Sequence, residues 1–449
     1  MNPGGDKKTR GISILACWMA LCTGLTSCGA SGADGGGDST SGDLSLIWIS
    51  LDTLRADHLG VYGYGRDTSP FMDSLAERNC TFEWAITPQN STLPTHITMF
   101  TGRHPVVHGL MHTDAHPGFL LAPSVRTLPQ ILHDADFDTR GWVDGGKMAG
   151  YYGFEGGFDT YRDRPTTLPS KLGASIKRIQ SYEKGQRFFH LLHTYDMHSP
   201  LRPPAPYDEA FAPQGPTEAH RKMALYDGMI QYIDNELRKY VKALRETRVL
   251  KRTILVITGD HGESFHEYGI AHTGHGGANL HQNITRVPWI LVHPDEGYKR
   301  TVKEFVGLID FPNTMLSLLG FEERLPGGVD VLNPPDDNPR TYLSWTGKGS
   351  MEGQDLGAWS VYYDGRHLLE SKVQPEPERN GLFDVRADPL EKHALEDPGE
   401  YAQMRKQLSS RRATLEEERE QLLPELRTSG DLPEEVWREL EGLGYTGDD

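Results

Sequence analysis

Two nearly unbroken apolar runs, each closing on an aspartate, constrain this chain more than any other feature. Residues 44–50 read Leu-Ser-Leu-Ile-Trp-Ile-Ser and lead to Asp52. Residues 253–258 read Thr-Ile-Leu-Val-Ile-Thr and lead to Gly259-Asp260-His261-Gly262-Glu263. A strand with one face in water alternates polar and apolar residues, whereas a strand covered on both faces does not. Two such runs point to a mostly parallel sheet buried between helix layers. In open sheets of this kind ligands gather at the carboxyl ends of the strands, which makes Asp52, Asp260 and His261 candidates for one site.

The remaining pattern agrees with an α/β class. Helical spacing is predicted over 69–79, 126–135, 219–248 and 310–319, and further strands over 137–143, 188–194 and 288–293. The stripe Leu225, Met229, Tyr232, Ile233, Leu237, Tyr240 and Leu244 reads as core. After residue 325 the alternation stops. Short strand-like pieces at 341–345, 358–363, 366–371 and 381–385 suggest a small C-terminal α+β subdomain over 326–399. Residues 400–449 read as a helical tail whose abundant Glu and Arg mark a solvated face.

Between the two aspartates, residues 90–104 carry three hydroxyls, Ser91, Thr92 and Thr95, around Pro94, then an apolar-spaced run that Gly102 ends. Proline in a first turn with Ser or Thr before it marks a helix start. Free amides and the helix dipole favour an anion there, so this place suits a nucleophile attacking a sulfate or phosphate ester. Acidic residues outnumber basic ones, 63 to 46, for a net charge of −17. That sign repels nucleic acid and excludes it as a partner class. An anionic substrate would need a local positive patch, from a metal or from the histidines at 261, 266, 272, 275 and 281.

Residues 1–27 read as an address. Lys7, Lys8 and Arg10 precede an apolar stretch at 12–25 that is too short to span a membrane. Leu25-Thr26-Ser27-Cys28 resembles a bacterial lipobox, which implies a lipoprotein signal peptide, lipidation at Cys28 and a flexible tether over 28–43. The expected location is the cell envelope, lipid-anchored to a bacterial membrane on its periplasmic or outer surface. Cys17 and Cys22 would leave with the signal, so Cys80 alone remains and no disulfide is expected.

The order of motifs resembles the sulfatase family of the alkaline phosphatase superfamily. The resemblance rests on Asp52 after the first strand, the hydroxyl-x-Pro segment closing on Thr101-Gly102-Arg103, and Asp260-His261-Gly262-Glu263. Gly157-Phe158-Asp159, Arg286-Val287-Pro288 and Leu382-Phe383-Asp384 with Asp388-Pro389 extend it. It implies an alkaline-phosphatase-like sandwich, with a catalytic domain over 44–325. The family nucleophile opens the pattern Cys or Ser, x, Pro, x, Arg. In this register Thr92 takes the nucleophile's place, ahead of Ser91 and Thr95, and His96 stands where arginine is usual. Sulfatases convert that Cys or Ser to formylglycine. Threonine cannot form the aldehyde, so no formylglycine is expected, and Thr92 would attack as an alkoxide to form a covalent ester. Threonine serves this way in phosphoryl-handling relatives such as lipoteichoic acid synthases and nucleotide pyrophosphatases. The expectation therefore covers phosphate, phosphodiester and phosphonate esters beside sulfate esters, and transfer beside hydrolysis.

The resemblance also implies one divalent metal ion held by Asp52, Asp260, His261 and the Thr92 oxygen. Ca²⁺ is the family's usual ion. Thr53 stands where a second aspartate is common, and with an imidazole in the set Mn²⁺ or Zn²⁺ becomes competitive. His198, in Asp196-Met197-His198-Ser199-Pro200, matches a histidine that binds the ester or protonates the leaving group. His275 matches the lysine or histidine that precedes Arg-Val-Pro, and His96 and Lys147 are candidate substrate-binding residues. The implied partners are an anionic ester, such as a glycan or a lipid head group, and the membrane through Cys28. The alternative is a catalytically inactive envelope lipoprotein that binds a glycan or scaffolds partners. The departures at His96 and Lys147 favour it, and the complete set Asp52, Thr92, Asp260 and His261 favours the enzyme.

Overall fold

The first apolar run folds into strand β1 (Ser45–Leu51), every residue of which is buried. In this computed structural model the described residues are 43–442, apart from 111–118, 122–123, 269–272, 276, 337–338, 347–356, 372–379, 424–426 and 429–433. The expected signal peptide, Cys28, most of the tether, His272 and the end of the tail lie outside them.

The other strands follow as β2 (Cys80–Ile86), the two-residue β3 (Phe119–Leu120), β4 (Asp138–Trp142), β5 (Thr160–Arg162), β6 (Phe188–Thr194), β7 (Thr253–Gly259), the two-residue pair β8 (Ser264–Phe265) and β9 (Thr273–Gly274), β10 (Arg286–Val292) and β11 (Arg300–Gly307). Eight of them form one sheet in the order β11-β2-β10-β7-β1-β6-β4-β5. The second apolar run, β7, pairs in parallel with β1, and β6 pairs in parallel with β1 on its other side. β10 alone runs against its neighbours, β7 and β2. The α/β class and the mostly parallel sheet are as the sequence predicts. β2, β11 and α5 are elements that the apolar pattern did not disclose.

Helices cover both faces: α1 (Pro70–Arg78), α2 (Thr92–Thr101), α3 (Pro105–His108), α4 (Leu128–Asp134), α5 (Leu168–Gln180), α6 (Glu218–Glu246), α7 (Gln282–Thr285) and α8 (Phe311–Leu318). Side chains alternate along a strand, so β1 feeds two separate cores. Leu46 and Trp48 pack with Leu93, Ile97 and Phe100 of α2 and with Phe311 of α8. Ile47, Ile49 and Leu51 pack with Leu75 of α1, Leu172 of α5 and Ile233 and Leu237 of α6. Trp48 anchors the first layer. Its ring lies 4.4 Å from Phe311, and its Nε1 donates to Thr258 Oγ1 on β7 at 2.9 Å.

The C-terminal pieces form an antiparallel sheet, β12 (Tyr342–Thr346), β13 (Ala358–Tyr363), β14 (Arg366–Ser371) and β15 (Gly381–Asp384), followed by α9 (Pro398–Leu422), the short β16 (Arg427–Thr428) and α10 (Glu434–Gly442). A buried carboxylate ties this region to the loop before α7. Glu391 accepts from His281 Nδ1 at 2.8 Å and from Gln282 N at 3.1 Å, and its other oxygen meets His367 Nδ1 on β14. Removing one partner of a buried charged network leaves the others unpaired, at a cost of about 3–5 kcal/mol. Glu391→Ala is expected to lower the chemical-denaturation free energy by that order, and an unchanged midpoint would contradict the assignment.

Three histidines away from the strand ends are structural in their neutral form. Val106 N and Leu110 N donate to the Nδ1 atoms of His104 and His108, whose Nε2 atoms face the carbonyls of Leu343 and Pro94. His190 lies between Ser175 Oγ at 2.8 Å and Tyr182 OH at 2.9 Å. Burial pushes all three down from 6.5 to about 3. The unfolded chain takes up these protons as pH falls through about 6.5, and the folded chain refuses them until about 3. Their contribution is whole above 6.5 and lost progressively below it. The urea midpoint is therefore expected to be lower at pH 4.5 than at pH 7.5, with His190→Gln losing less over the same interval.

Candidate active site

Strand alternation brings the chemistry together. Leu46, Trp48, Ser50 and Asp52 follow one another by twos on the α2 side of β1. Ile254, Val256, Thr258 and Asp260 do so along β7, and Phe189, Leu191 and His193 along β6. Ser50 lies in register with Thr258 on one side and His193 on the other. The polar residues at the carboxyl ends therefore converge under the start of α2. Asp52, Thr92, His96, His193, Asp260 and His261 are all wholly buried.

Thr92 is the first residue of α2, with Ser91 as an extended N-cap whose side chain makes no capping bond. Its Oγ1 donates to Asp52 Oδ2 at 2.8 Å and lies 3.4 Å from His261 Nε2. His261 Nδ1 donates to Gly262 O at 2.9 Å, which fixes the tautomer and leaves the Nε2 lone pair facing the threonine. Gly262 is needed because a Cβ there would sit 1.8 Å from Asn283 O. Asp260 Oδ1 accepts from His261 N at 2.8 Å and from Thr53 N at 3.1 Å. Thr53 holds a left-handed φ of 58°, which is strained for a β-branched residue. Its hydroxyl bond to Met197 O and the Tyr226 hydroxyl bond to its carbonyl hold it there. Thr53 thus meets the site through its main chain, in place of the carboxylate usual at that position. Thr95 Oγ1 is engaged elsewhere, bonding Gln89 O and lying 3.2 Å from Thr87 Oγ1.

The two carboxylates are only half satisfied by the protein. Asp52 Oδ1 and Asp260 Oδ2 are buried without a hydrogen-bond partner. Burial, reinforced by the Asp260 charge, pushes Asp52 well above the usual carboxylate range. For Asp260, burial works upward but is outweighed by His261, His96 and His193, which bring it down to about 2. Two buried carboxylates this close do not both ionise unaided, and a divalent cation between them removes the conflict. Asp52, Asp260 and His261 offer donor atoms within 4.8 Å of one another, so the residues present fit one ion.

His198 and His275 stand nearby. The His275 ring centre is 4.4 Å from that of His261 and 5.1 Å from that of His198. His198 Nδ1 donates to Ser199 O at 2.7 Å, which turns Nε2 into an acceptor. Burial, then the neighbouring His275, lowers His198 to about 4. Burial also lowers His275 to about 4, where Lys147 opposes the upward pull of Asp260. Lys147 is buried, and its main-chain N donates to Tyr195 OH at 3.1 Å.

The structure moves His96 from the substrate side to the carboxylate side. Its Nδ1 faces Thr92 O at 2.9 Å and Asp260 Oδ2 at 3.7 Å, and its Nε2 meets Ser50 Oγ at 2.8 Å. A buried imidazole with both nitrogens so engaged supports the site from within the helix layer. Asp57 and His58 are structural: Asp57 holds Arg55 through two hydrogen bonds, and His58 Nδ1 bonds Asp227 at 2.7 Å. Sequence reasoning missed His193, Glu263 and Asn90. Asn90 Nδ2 donates to His275 O at 2.6 Å, and Glu263 Oε2 lies 3.6 Å from His275 Nδ1. His193 was findable, since in Phe-Phe-His-Leu-Leu-His-Thr it shares its strand face with Phe189 and Leu191.

Comparison with known proteins agrees with this geometry. The family model described as Sulfatase matches residues 45–321. An uncharacterised sulfatase of Escherichia coli (strain K12) is 22% identical, over 81% of this chain and 85% of its own length. An uncharacterised pyrophosphatase/phosphodiesterase of Schizosaccharomyces pombe is 24% identical over 56% of this chain and 51% of its own. The crystal structure of the phosphonate monoester hydrolase of Agrobacterium radiobacter superposes with a TM-score of 0.66 at 17% identity, covering 84% of this chain and 96% of that one. At that identity the likeness shows the shared fold.

The unpartnered carboxylate oxygens make a direct prediction about metal. Mn²⁺ or Zn²⁺ at ~100 times Kd is expected to stabilise the chelator-stripped chain by about 2.7 kcal/mol, read as a rise in melting temperature. Asp260→Asn is expected to abolish that rise. A melting curve indifferent to these two ions and to Ca²⁺ would remove the metal from the site.

Proposed function

The chain belongs to the sulfatase family, and from that premise we propose a metal-dependent ester hydrolase or transferase whose nucleophile is the Thr92 hydroxyl. One observation carries the reading: Thr92 Oγ1, at the head of α2, donates to Asp52 at 2.8 Å beside His261 and Asp260. A divalent ion held by Asp52, Asp260 and His261 would lower the pKa of that hydroxyl and offset the charge of the ester. Asp52 Oδ2 is aligned to receive the Thr92 proton as Oγ1 attacks sulfur or phosphorus. The bond from that atom to the leaving oxygen then breaks. An anionic ester beside His198 would raise its pKa, and His198 then supplies the proton that the leaving oxygen needs. Water or an acceptor alcohol then attacks the Thr92 ester, its proton passing to His198, while the bond to Oγ1 breaks and Asp52 returns the proton it holds to that oxygen.

Threonine has no route to formylglycine, which favours phosphodiesters and phosphonate or phosphate monoesters as the first substrates to test and sulfate esters second. The names of the two phosphorus-handling relatives lean the same way. A glycan or lipid head group carrying such an ester suits a chain that Cys28 would tether to a bacterial membrane. No helix among the described residues is long and apolar enough to cross a membrane. Anchoring through Cys28 predicts a globomycin-sensitive processing shift that Cys28→Ala abolishes.

Turnover of nitrophenyl phosphodiester, phosphate and sulfate by the full chain tests the chemistry. Thr92→Ala is expected to lose on the order of 10³-fold or more in rate. Acid-quenched wild-type protein is expected to yield a phospho- or sulfo-threonine on the peptide holding residue 92. Undiminished turnover in Thr92→Ala would overturn the nucleophile. A wild-type chain that turns over none of these esters and traps no adduct would instead be an inactive, binding member of the family.

A further inference from the structure

Asp260 belongs to two clusters at once. Apart from the group with Asp52 and His261, it forms a second with His96 and His193, each residue offering one donor atom within 4.8 Å of the others. All three residues are wholly buried. Neither ring nitrogen of His193 has a hydrogen-bond partner, and neither does Asp260 Oδ2. The His193 ring stands edge-on to that of His96, 5.1 Å between centres, and its Nε2 is 3.5 Å from Asp52 Oδ2. An imidazole buried with both nitrogens unsatisfied is rare in a well-packed layer, because each polar atom has given up water for nothing.

We propose that His96, His193 and Asp260 form a second divalent-cation site, bridged to the first through the Asp260 carboxylate. Atoms within 4.8 Å of one another share a point about 2.8 Å from all three, so small side-chain movements reach metal–ligand lengths of about 2.0–2.2 Å. His96 can take part by giving up its bond to Thr92 O and keeping the one to Ser50. Moving its ring proton from Nδ1 to Nε2 frees Nδ1, which lies 3.7 Å from Asp260 Oδ2, and turns the Ser50 contact into a donated hydrogen bond. Two imidazoles and one carboxylate suit Zn²⁺ or Mn²⁺, not Ca²⁺ or Mg²⁺, which prefer all-oxygen shells.

Such a site would hold the head of α2. His96 lies one helical turn after Thr92 on α2. A cation on His96 would fix the turn that presents Oγ1, a positioning role with no contact to the ester. The inference rests on the donor geometry and stands whether or not Thr92 is a nucleophile, so its test reads metal and not turnover.

The full chain, stripped with chelator and refilled with Mn²⁺, is to be assayed for metal content and by electron paramagnetic resonance. Two equivalents per chain and an exchange-coupled signal from a carboxylate-bridged pair are expected. His193→Gln and His96→Gln are each expected to hold one equivalent and give the six-line signal of an isolated ion, with melting curves confirming that they fold. One equivalent in the wild type, or two in both folded variants, would overturn the proposal. Should either variant fail to fold, the wild-type stoichiometry and coupling decide alone.

Discussion

Two carboxylates of like charge, buried at the ends of neighbouring strands, set the terms for everything around them. Asp52 and Asp260 offer oxygens within 4.8 Å of one another, where two full charges repel by roughly 3–4 kcal/mol even at an effective dielectric of 20. The neighbourhood is built to tolerate that. Main-chain amides of Thr53 and His261 serve one Asp260 oxygen, the Thr92 hydroxyl serves one Asp52 oxygen, and imidazoles surround the pair. The opening of a helix, with its free amides and positive end, completes the arrangement.

The same strands carry the core and the site, so packing determines chemistry directly. Trp48 wedges between β7 and α8 and sets the depth at which α2 lies on the sheet. Gly102 lets α2 stop where it must. It holds φ at 66°, and a Cβ there would meet Pro326 O at 2.5 Å. With its far end so fixed and Leu93, Ile97 and Phe100 in the core, α2 delivers Thr92 and His96 to the carboxylates on one face.

Much of this was legible in the sequence, and the omissions have physical causes. Buried parallel strands announce themselves by continuous apolar runs, so β1, β6 and β7 were readable, as were the aspartates that close two of them. β11 was not, because four of its first five residues, Arg300, Thr301, Lys303 and Glu304, are exposed on a sheet edge. β2 carries Glu83 in its middle, and the reversed direction of β10 leaves no local signature at all. Residue roles were harder than residue positions. The family register has arginine at the position of His96 and points it to substrate, whereas the depth of α2 turns its imidazole toward Asp260. His193 was passed over inside an apolar strand, although its face follows from counting by twos.

That counting has a consequence for folding fidelity. A slip of one residue in β1, β6 or β7 would carry an aspartate or a histidine to the opposite helix layer, among Ile49, Leu192 and Ile257. Among the described residues there is no disulfide to lock the pairing, Cys80 being a free buried thiol. The two cation sites together would draw donors from β1, β6 and β7, and both can be filled only when all three strands are correctly aligned. Metal uptake would then act as a proofreading step for the sheet, rewarding the one threading that is also competent for chemistry.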